Sequence, residues 1–99
     1  MTATTPQRAL VSTRSVPALS RHVRLQFDPV RQAWAMLSPE RVYWPDDVSR
    51  DIISRCDGRT AVAEMARALA GLYSAGRDDI EKDVMEFVQH LADELLVRL

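Results

Sequence analysis

The first regular pattern along the chain is an alternation of apolar and polar residues over 22–28. This spacing of two is typical of a strand with one buried face. Two shorter apolar runs follow at 33–37 and 42–44, and a proline-containing turn precedes each of them. The pattern predicts three strands joined by tight turns, which form an antiparallel β-meander.

After Pro45 the apolar residues recur every three or four positions instead of every two. This period indicates amphipathic helices. We predict one helix that ends near residue 55, a second over about 60–73, and a third that keeps one apolar face from about 78 to 95.

Short polar residues and a glycine mark the expected ends of these helices. Asp46 or Asp47 is placed to cap the first helix, and Thr60 and Asp78 are placed to cap the second and third. Gly58 is expected to supply the left-handed residue that closes the first helix.

Because the strands precede the helices, the order β-β-β-α-α-α predicts an α+β domain in which a small sheet packs on a helical layer. Residues 1–17 carry Ser, Thr, Pro and Arg without a hydrophobic period, and we predict a flexible N-terminal tail there. The domain is then expected over 18–99. An organellar transit peptide is a second interpretation of the tail, since it is rich in Arg and lacks acids.

The charge is distributed unevenly along the 99 residues, which allow a single domain. Residues 1–44 hold six Arg and two acids (+4), whereas residues 45–99 hold seven basic residues and twelve acids (−5). The net charge of −1 disfavours bulk nucleic-acid binding. A single cysteine excludes a disulfide within the chain and favours a cytoplasmic location, and no apolar run is long enough to span a membrane.

Catalytic, metal-binding and cofactor motifs are not recognisable in the sequence. His22 and His90 belong to no metal-spaced cluster, and Cys56 lies on the apolar face of a predicted helix. Three separated glycines cannot build a phosphate loop. We therefore expect no catalytic residue, no metal and no cofactor. A small enzyme is a further hypothesis for the function, but no motif supports it.

Three of the six aromatic residues, Trp34, Tyr43 and Trp44, fall within 11 positions. Tyr43 and Trp44 are adjacent in a strand, so they point to opposite faces of the sheet. One interpretation places one of them in the core and the other over a helix. The other interpretation places one of them in a groove at the sheet edge, where an added peptide strand would bind.

Three motifs lie between residues 37 and 92, within a resemblance that covers roughly residues 17–99. They are Leu37-Ser38-Pro39-Glu40-Arg41-Val42, then Cys56-Asp57-Gly58 followed by Thr60-Ala61-Val62-Ala63-Glu64-Met65, and finally Asp83-Val84, Phe87-Val88 and Leu91-Ala92. Together they resemble the PqqD family. The resemblance implies a winged-helix-like fold of three strands and three helices, in agreement with the predicted order of elements.

The resemblance also implies a function, that of a non-enzymatic peptide chaperone. PqqD proteins bind the ribosomal precursor peptide PqqA and present it to the radical SAM enzyme PqqE in the biosynthesis of pyrroloquinoline quinone (PQQ). The peptide adds as a strand beside the third strand and the third helix. Carried onto this chain, the resemblance identifies the third strand and the third helix as the two walls of the peptide site. We chose the helix residues from one helical face, which also fits a core stripe. The expected peptide-binding residues are Arg41, Val42, Tyr43, Trp44, Ile80, Asp83, Val84 and Phe87.

The alternative function is that of a winged-helix DNA-binding regulator. Such a protein needs a basic recognition helix, but the helix at 60–72 has only Arg67 and the last helix is acidic. A homodimer is a further expectation that the sequence does not decide, since open strand edges and the short 38–41 linker allow pairing or strand exchange.

Overall fold

The computed structural model describes residues 9–99. The predicted α+β order is confirmed, because an antiparallel meander of three strands precedes three helices. Over the described residues the elements are β1 (Ala18–Leu19), β2 (Arg24–Asp28), β3 (Ala33–Leu37), β4 (Val42–Tyr43), α1 (Asp47–Ser54), α2 (Val62–Tyr73), α3 (Arg77–Asp93) and β5 (Val97–Arg98).

The register of the meander turns one face of the sheet toward the helices. Leu25 pairs with Met36, and Met36 pairs with Tyr43 on the other side. Met36 is 3% exposed and belongs to the core, so Tyr43 projects to the same, helix-facing side. The opposite side, which we call the outer face, carries Arg24 and Leu37.

The helical core has the spacing that the sequence predicts. Apolar residues at helical spacing are buried on both α2 and α3, and the two buried faces pack against each other. These residues are Val62, Met65, Ala66 and Leu69 on α2, and Val84, Val88 and Leu91 on α3. None of the helices within residues 9–99 is long and apolar enough to cross a membrane.

The cap of α1 was predicted correctly, with Asp46 rather than Asp47 as the capping residue. The Asp46 carboxylate accepts a hydrogen bond from the backbone N–H of Ser49 at 2.8 Å, and this bond lowers the pKa of Asp46. The predicted closing role of Gly58 was wrong, because α1 ends at Ser54. Gly58 is left-handed (φ +76°), but it lies beyond the helix in the link where its N–H bonds to Pro17 C=O.

The predicted caps of α2 and α3 were wrong. The Thr60 hydroxyl donates to the Asp57 carboxylate at 3.1 Å, and α2 begins one residue later than predicted, with Ala61 at its N-cap and no side-chain cap hydrogen bond. Helix α3 begins at Arg77, and Asp78 therefore lies inside its first turn. There its charge faces the positive end of the helix dipole instead of forming a cap.

Two short strands near the ends of the chain were not predicted. Leu19 in β1 pairs with Val97 in β5, and Ala18 also bridges to Asp57. Helix α3 ends at Asp93, because Leu95 adopts a left-handed conformation (φ +61°) and turns the chain into β5. A two-residue pairing between distant segments has no period in the sequence, so pattern analysis extends the helix instead.

Residues 9–17, which we call the N-terminal arm, lie against α2 and α3. The Thr13 and Ser15 carbonyls accept hydrogen bonds from the first backbone N–H groups of α2, and Pro17 is fully buried. The side chain of Gln89 on α3 accepts from Val11 N–H at 2.9 Å. The tail prediction for residues 1–8 lies outside the described residues, and the domain boundary at residue 18 stays a prediction.

Candidate functional site

The free edge of β4 offers unpaired backbone groups. Ser38 N–H donates to Arg41 C=O at 3.1 Å, and Tyr43 lies opposite Met36, so both Arg41 and Tyr43 turn their backbone groups toward β3. In an antiparallel ladder these directions alternate, and the N–H and C=O of Val42 therefore point away from β3. No other strand of residues 9–99 pairs with this edge.

The edge borders a cavity of about 380 Å³ between β4 and the second half of α3, which we call the groove. Its floor and walls are mainly apolar, with charged groups at one end. The lining residues are Met36, Arg41, Val42, Tyr43, Phe87, His90, Leu91, Glu94 and Leu96. Val42 is 51% exposed and Tyr43 is 42% exposed, so large apolar surfaces lie open beside the free edge.

An ion pair joins the two walls at one end of the groove. Arg41 Nη2 lies 2.5 Å from Glu94 Oε2. Both residues also line a smaller, more polar hollow of about 200 Å³ with His22 and Pro39. The ion pair thus separates the apolar groove from this polar hollow.

The structure brings four of the eight predicted site residues together in the groove, namely Arg41, Val42, Tyr43 and Phe87. Trp44 lies elsewhere. It lines a hollow on the outer face with Ala35 and Leu37, and the Arg31 guanidinium lies 4.8 Å from its ring centroid. The alternation of side chains along β4 places Trp44 on the side opposite to Tyr43.

The other three predicted residues belong to the first half of α3 and do not line the groove. Val84 is 1% exposed and is part of the core, and Ile80 is half-buried against the same core. Asp83 is exposed to solvent. Contact of a ligand with any of the eight residues stays a prediction.

The C-terminal part of the helix wall was not among the residues predicted from the sequence. His90, Leu91 and Glu94 follow Phe87 at spacings of three, four and seven residues, so they share its face of α3. That face could have been found by following the helix from Phe87 toward its C-terminus. The residues predicted for this wall lie instead in the first half of the helix, at Ile80, Asp83 and Val84.

The groove is arranged for binding and carries no catalytic constellation. Among residues 9–99 no group of three or more His, Cys, Asp or Glu side chains could hold a metal ion. Cys56 is buried away from the groove, and desolvation by burial, assisted by the charge of Asp57, raises the pKa of its thiol to about 12. A neutral buried thiol is a poor nucleophile.

These features define a small α+β binding domain with one open strand edge beside a helix. A family model described as "Coenzyme PQQ synthesis protein D (PqqD)" matches residues 33–97. The chain belongs to the PqqD family, as the three sequence motifs predicted. It is 47% identical to a protein of Rhodopseudomonas palustris named "PqqA binding protein", and the match covers 90% of this chain and 87% of that protein. A Xanthomonas campestris protein of the same name is 42% identical over 90% of this chain and 97% of its own length.

Solved structures share the fold. The solution structure of the PqqD part of Methylobacterium extorquens PqqCD superposes with a TM-score of 0.77 at 35% identity, covering 93% of this chain and 97% of that one. That protein is described as a functional, stand-alone recognition element for ribosomally synthesized and post-translationally modified peptides. Lasso peptide synthetase B1 has the same fold at 17% identity, with a TM-score of 0.73 over 86% of this chain and all of that one.

Proposed function

We propose that this protein binds the precursor peptide PqqA as an added strand on β4 and presents it to the radical SAM enzyme PqqE during PQQ biosynthesis. The observation that carries the proposal is the free edge at Val42, which lies directly beside the apolar groove. The names of the relatives and the description of the Methylobacterium structure support the same ligand. The family is one of peptide-binding elements, and the protein is not an enzyme.

In added-strand binding the backbone and the side chains of the site have different roles. Hydrogen bonds to the Val42 N–H and C=O hold an extended peptide whatever its sequence, and the side-chain pockets select among peptides. Phe87 and Leu91 would receive an apolar side chain, since both face the groove from α3. The buried surface and the backbone bonds together give a binding site without a deep pocket.

A DNA-binding role finds less support. The exposed residues of α2 include Arg67 but also Glu64, and the first turn of α3 carries Asp78 and Asp79. A helix that enters the major groove needs several basic side chains to meet the phosphates. The charge distribution therefore favours a peptide-binding role over a DNA-binding role.

The acidic start of α3 is the surface that we propose for contact with PqqE. Asp78, Asp79 and Asp83 are exposed there and lie away from the groove. A basic patch on the enzyme would find this surface by electrostatic attraction, with an effect mainly on the association rate. We further propose that the complex forms in the cytoplasm.

Titration of ¹⁵N-labelled protein with PqqA tests the binding site. We expect the largest amide shifts at residues 41–43 and 87–94, because an added strand changes the hydrogen bonding of the first segment and the packing of the second. The amide resonances of Arg24 and Ala35, whose side chains lie on the outer face, serve as the internal control. Shifts that concentrate on the outer face, or an unchanged spectrum at millimolar peptide, would refute the groove assignment.

We also propose that the free protein forms a homodimer through the open β4 edge. An unpaired edge is a template for another strand, and a second copy of the chain carries the same edge. Because the peptide needs that edge, we expect sedimentation velocity to show a concentration-dependent dimer that PqqA converts to a monomeric complex. A monomer at all concentrations, or a dimer that PqqA leaves unchanged, would contradict this.

A further inference from the structure

The Arg41 side chain lies on the groove side of β4. Arg41 precedes Tyr43 by two residues, so the two side chains share one face of the strand. The contact of the guanidinium with Glu94 on α3 agrees with this direction. Two charged groups therefore face each other across the end of a mainly apolar site.

The Arg41 backbone is held firmly, whereas its side chain is free to exchange partners. Ser38 N–H and Ser38 Oγ both donate to Arg41 C=O, at 3.1 and 3.0 Å. The side chains of the ion pair are 59% exposed for Arg41 and 37% exposed for Glu94. An ion pair this exposed contributes little stability, so a ligand can replace one partner at small cost.

A strand added antiparallel to β4 would place a specific side chain at this ion pair. The peptide residue opposite Val42 forms the hydrogen-bonded pair, so its own side chain points to the outer face. Its two neighbours lie opposite Arg41 and Tyr43 and point into the groove. The residue opposite Arg41 is in a non-hydrogen-bonded pair, where the Cα atoms approach to about 4.5 Å and the side chains are closest.

We propose, on the assumption that the protein binds its peptide as described above, that Arg41 selects a carboxylate side chain at this position. The peptide motif is an acidic residue two positions from an apolar residue that enters the pocket of Phe87 and Leu91. In the free protein the Glu94 carboxylate pairs with the Arg41 guanidinium, at the place that the peptide carboxylate would take. Glu94 is therefore a competitor, and binding displaces it into water.

We expect an acidic rather than a basic peptide residue, because the added strand lies closer to Arg41 than to Glu94. The ladder fixes the peptide side chain directly beside Arg41, and an opposite charge is favourable there whereas a like charge is not. The guanidinium also presents a planar fork of donors that matches a carboxylate. Glu94 lies on a different element, so nothing in the ladder fixes it against the peptide.

Two substitutions that remove the halves of one ion pair should then have opposite effects on affinity for PqqA. We expect Glu94→Gln to tighten binding by roughly two- to fivefold, because the competitor for Arg41 is gone. We expect Arg41→Gln to weaken binding by roughly three- to tenfold, because the selecting charge is gone. The double variant should behave like Arg41→Gln alone.

Isothermal titration calorimetry with PqqA measures these changes. A second series of peptides replaces each Asp or Glu by its amide, one at a time. One amide peptide should bind the natural protein more weakly, yet bind the Arg41→Gln variant no more weakly than PqqA does. Arg24→Gln removes an exposed arginine from the outer face and is the matched control, with affinity within about twofold of the natural protein.

A charge-reversed pair separates selection from a structural role. The Arg41→Glu/Glu94→Arg variant keeps an ion pair between the two walls but moves the cation to α3. We expect it to lose the preference for the carboxylate peptide over its amide. If it keeps that preference, or if Glu94→Gln and Arg41→Gln both weaken binding equally, the ion pair only holds the groove together and the inference is wrong. If the natural protein does not bind PqqA at all, the proposed function fails first, and this inference fails with it.

Discussion

Replacement of Val42 by proline is expected to weaken PqqA binding strongly while the domain stays folded. The Val42 N–H points to the open edge and forms no bond within the meander, so proline removes a donor that only the ligand uses. The peptide carbonyl that would accept this bond is left unpaired, and the pyrrolidine ring projects toward the incoming strand. We expect affinity to fall by about 30-fold or more, equivalent to about 2 kcal/mol.

Val42→Ala is the matched control for this experiment. It removes most of the side chain but keeps the backbone donor, and it should bind PqqA within about fivefold of the natural protein, since little apolar area is lost. Both variants are compared by calorimetry, and their far-ultraviolet dichroism confirms that the fold is kept. Proline-variant binding equal to that of the alanine variant would mean that the peptide does not pair with this edge.

Deletion of residues 1–17 is expected to lower the free energy of unfolding strongly, while residues 18–99 still fold. The deletion removes the Thr13 and Ser15 carbonyls from the start of α2 and the fully buried Pro17. It also removes the Val11 N–H that bonds to Gln89. Several backbone bonds at about 1 kcal/mol each predict a loss of about 3 kcal/mol, a large part of the 5–15 kcal/mol typical of a domain.

Urea denaturation followed by tryptophan fluorescence measures this loss. A deletion of residues 1–8 is the control, since it shortens the chain and leaves the arm contacts named above in place. The 18–99 protein should retain the cooperative transition of the full chain, because the buried core cluster begins at Val23. A stability equal to that of the 1–8 deletion would show that the arm contacts are energetically neutral, and an unfolded 18–99 protein would move the domain boundary into the arm.

Local patterns predicted the elements that depend on local physics. Alternation over 22–28 and the runs at 33–37 and 42–44 match β2, β3 and β4 within two residues. The buried stripe of α2 follows directly from its spacing. The predicted cap failed at Thr60 because the first N–H groups of α2 donate to the Ser15 and Thr13 carbonyls of the distant arm, and such partners are visible only after the chain has folded.

The candidate site was half predictable for a related reason. The adjacency of Tyr43 and Trp44 in a strand implies that one of them faces the helices, but the register with Met36 decides that it is Tyr43. The helix wall was placed too near the start of α3. Which turns of a 17-residue helix lie beside a two-residue strand depends on how α3 packs, and no residue spacing records that.

The sequence by itself determined the family, the order of the three-stranded meander and the three helices, and the lack of recognisable catalytic motifs, because these depend on periodicity and on motifs within short segments. Only the tertiary structure decided that the arm and β5 close around the core, that Trp44 lies on the outer face, and that Arg41 meets Glu94. Each of these joins residues that are distant along the chain or chooses between two faces of one strand. Such choices are made by packing, where the burial of the whole core outweighs local preference.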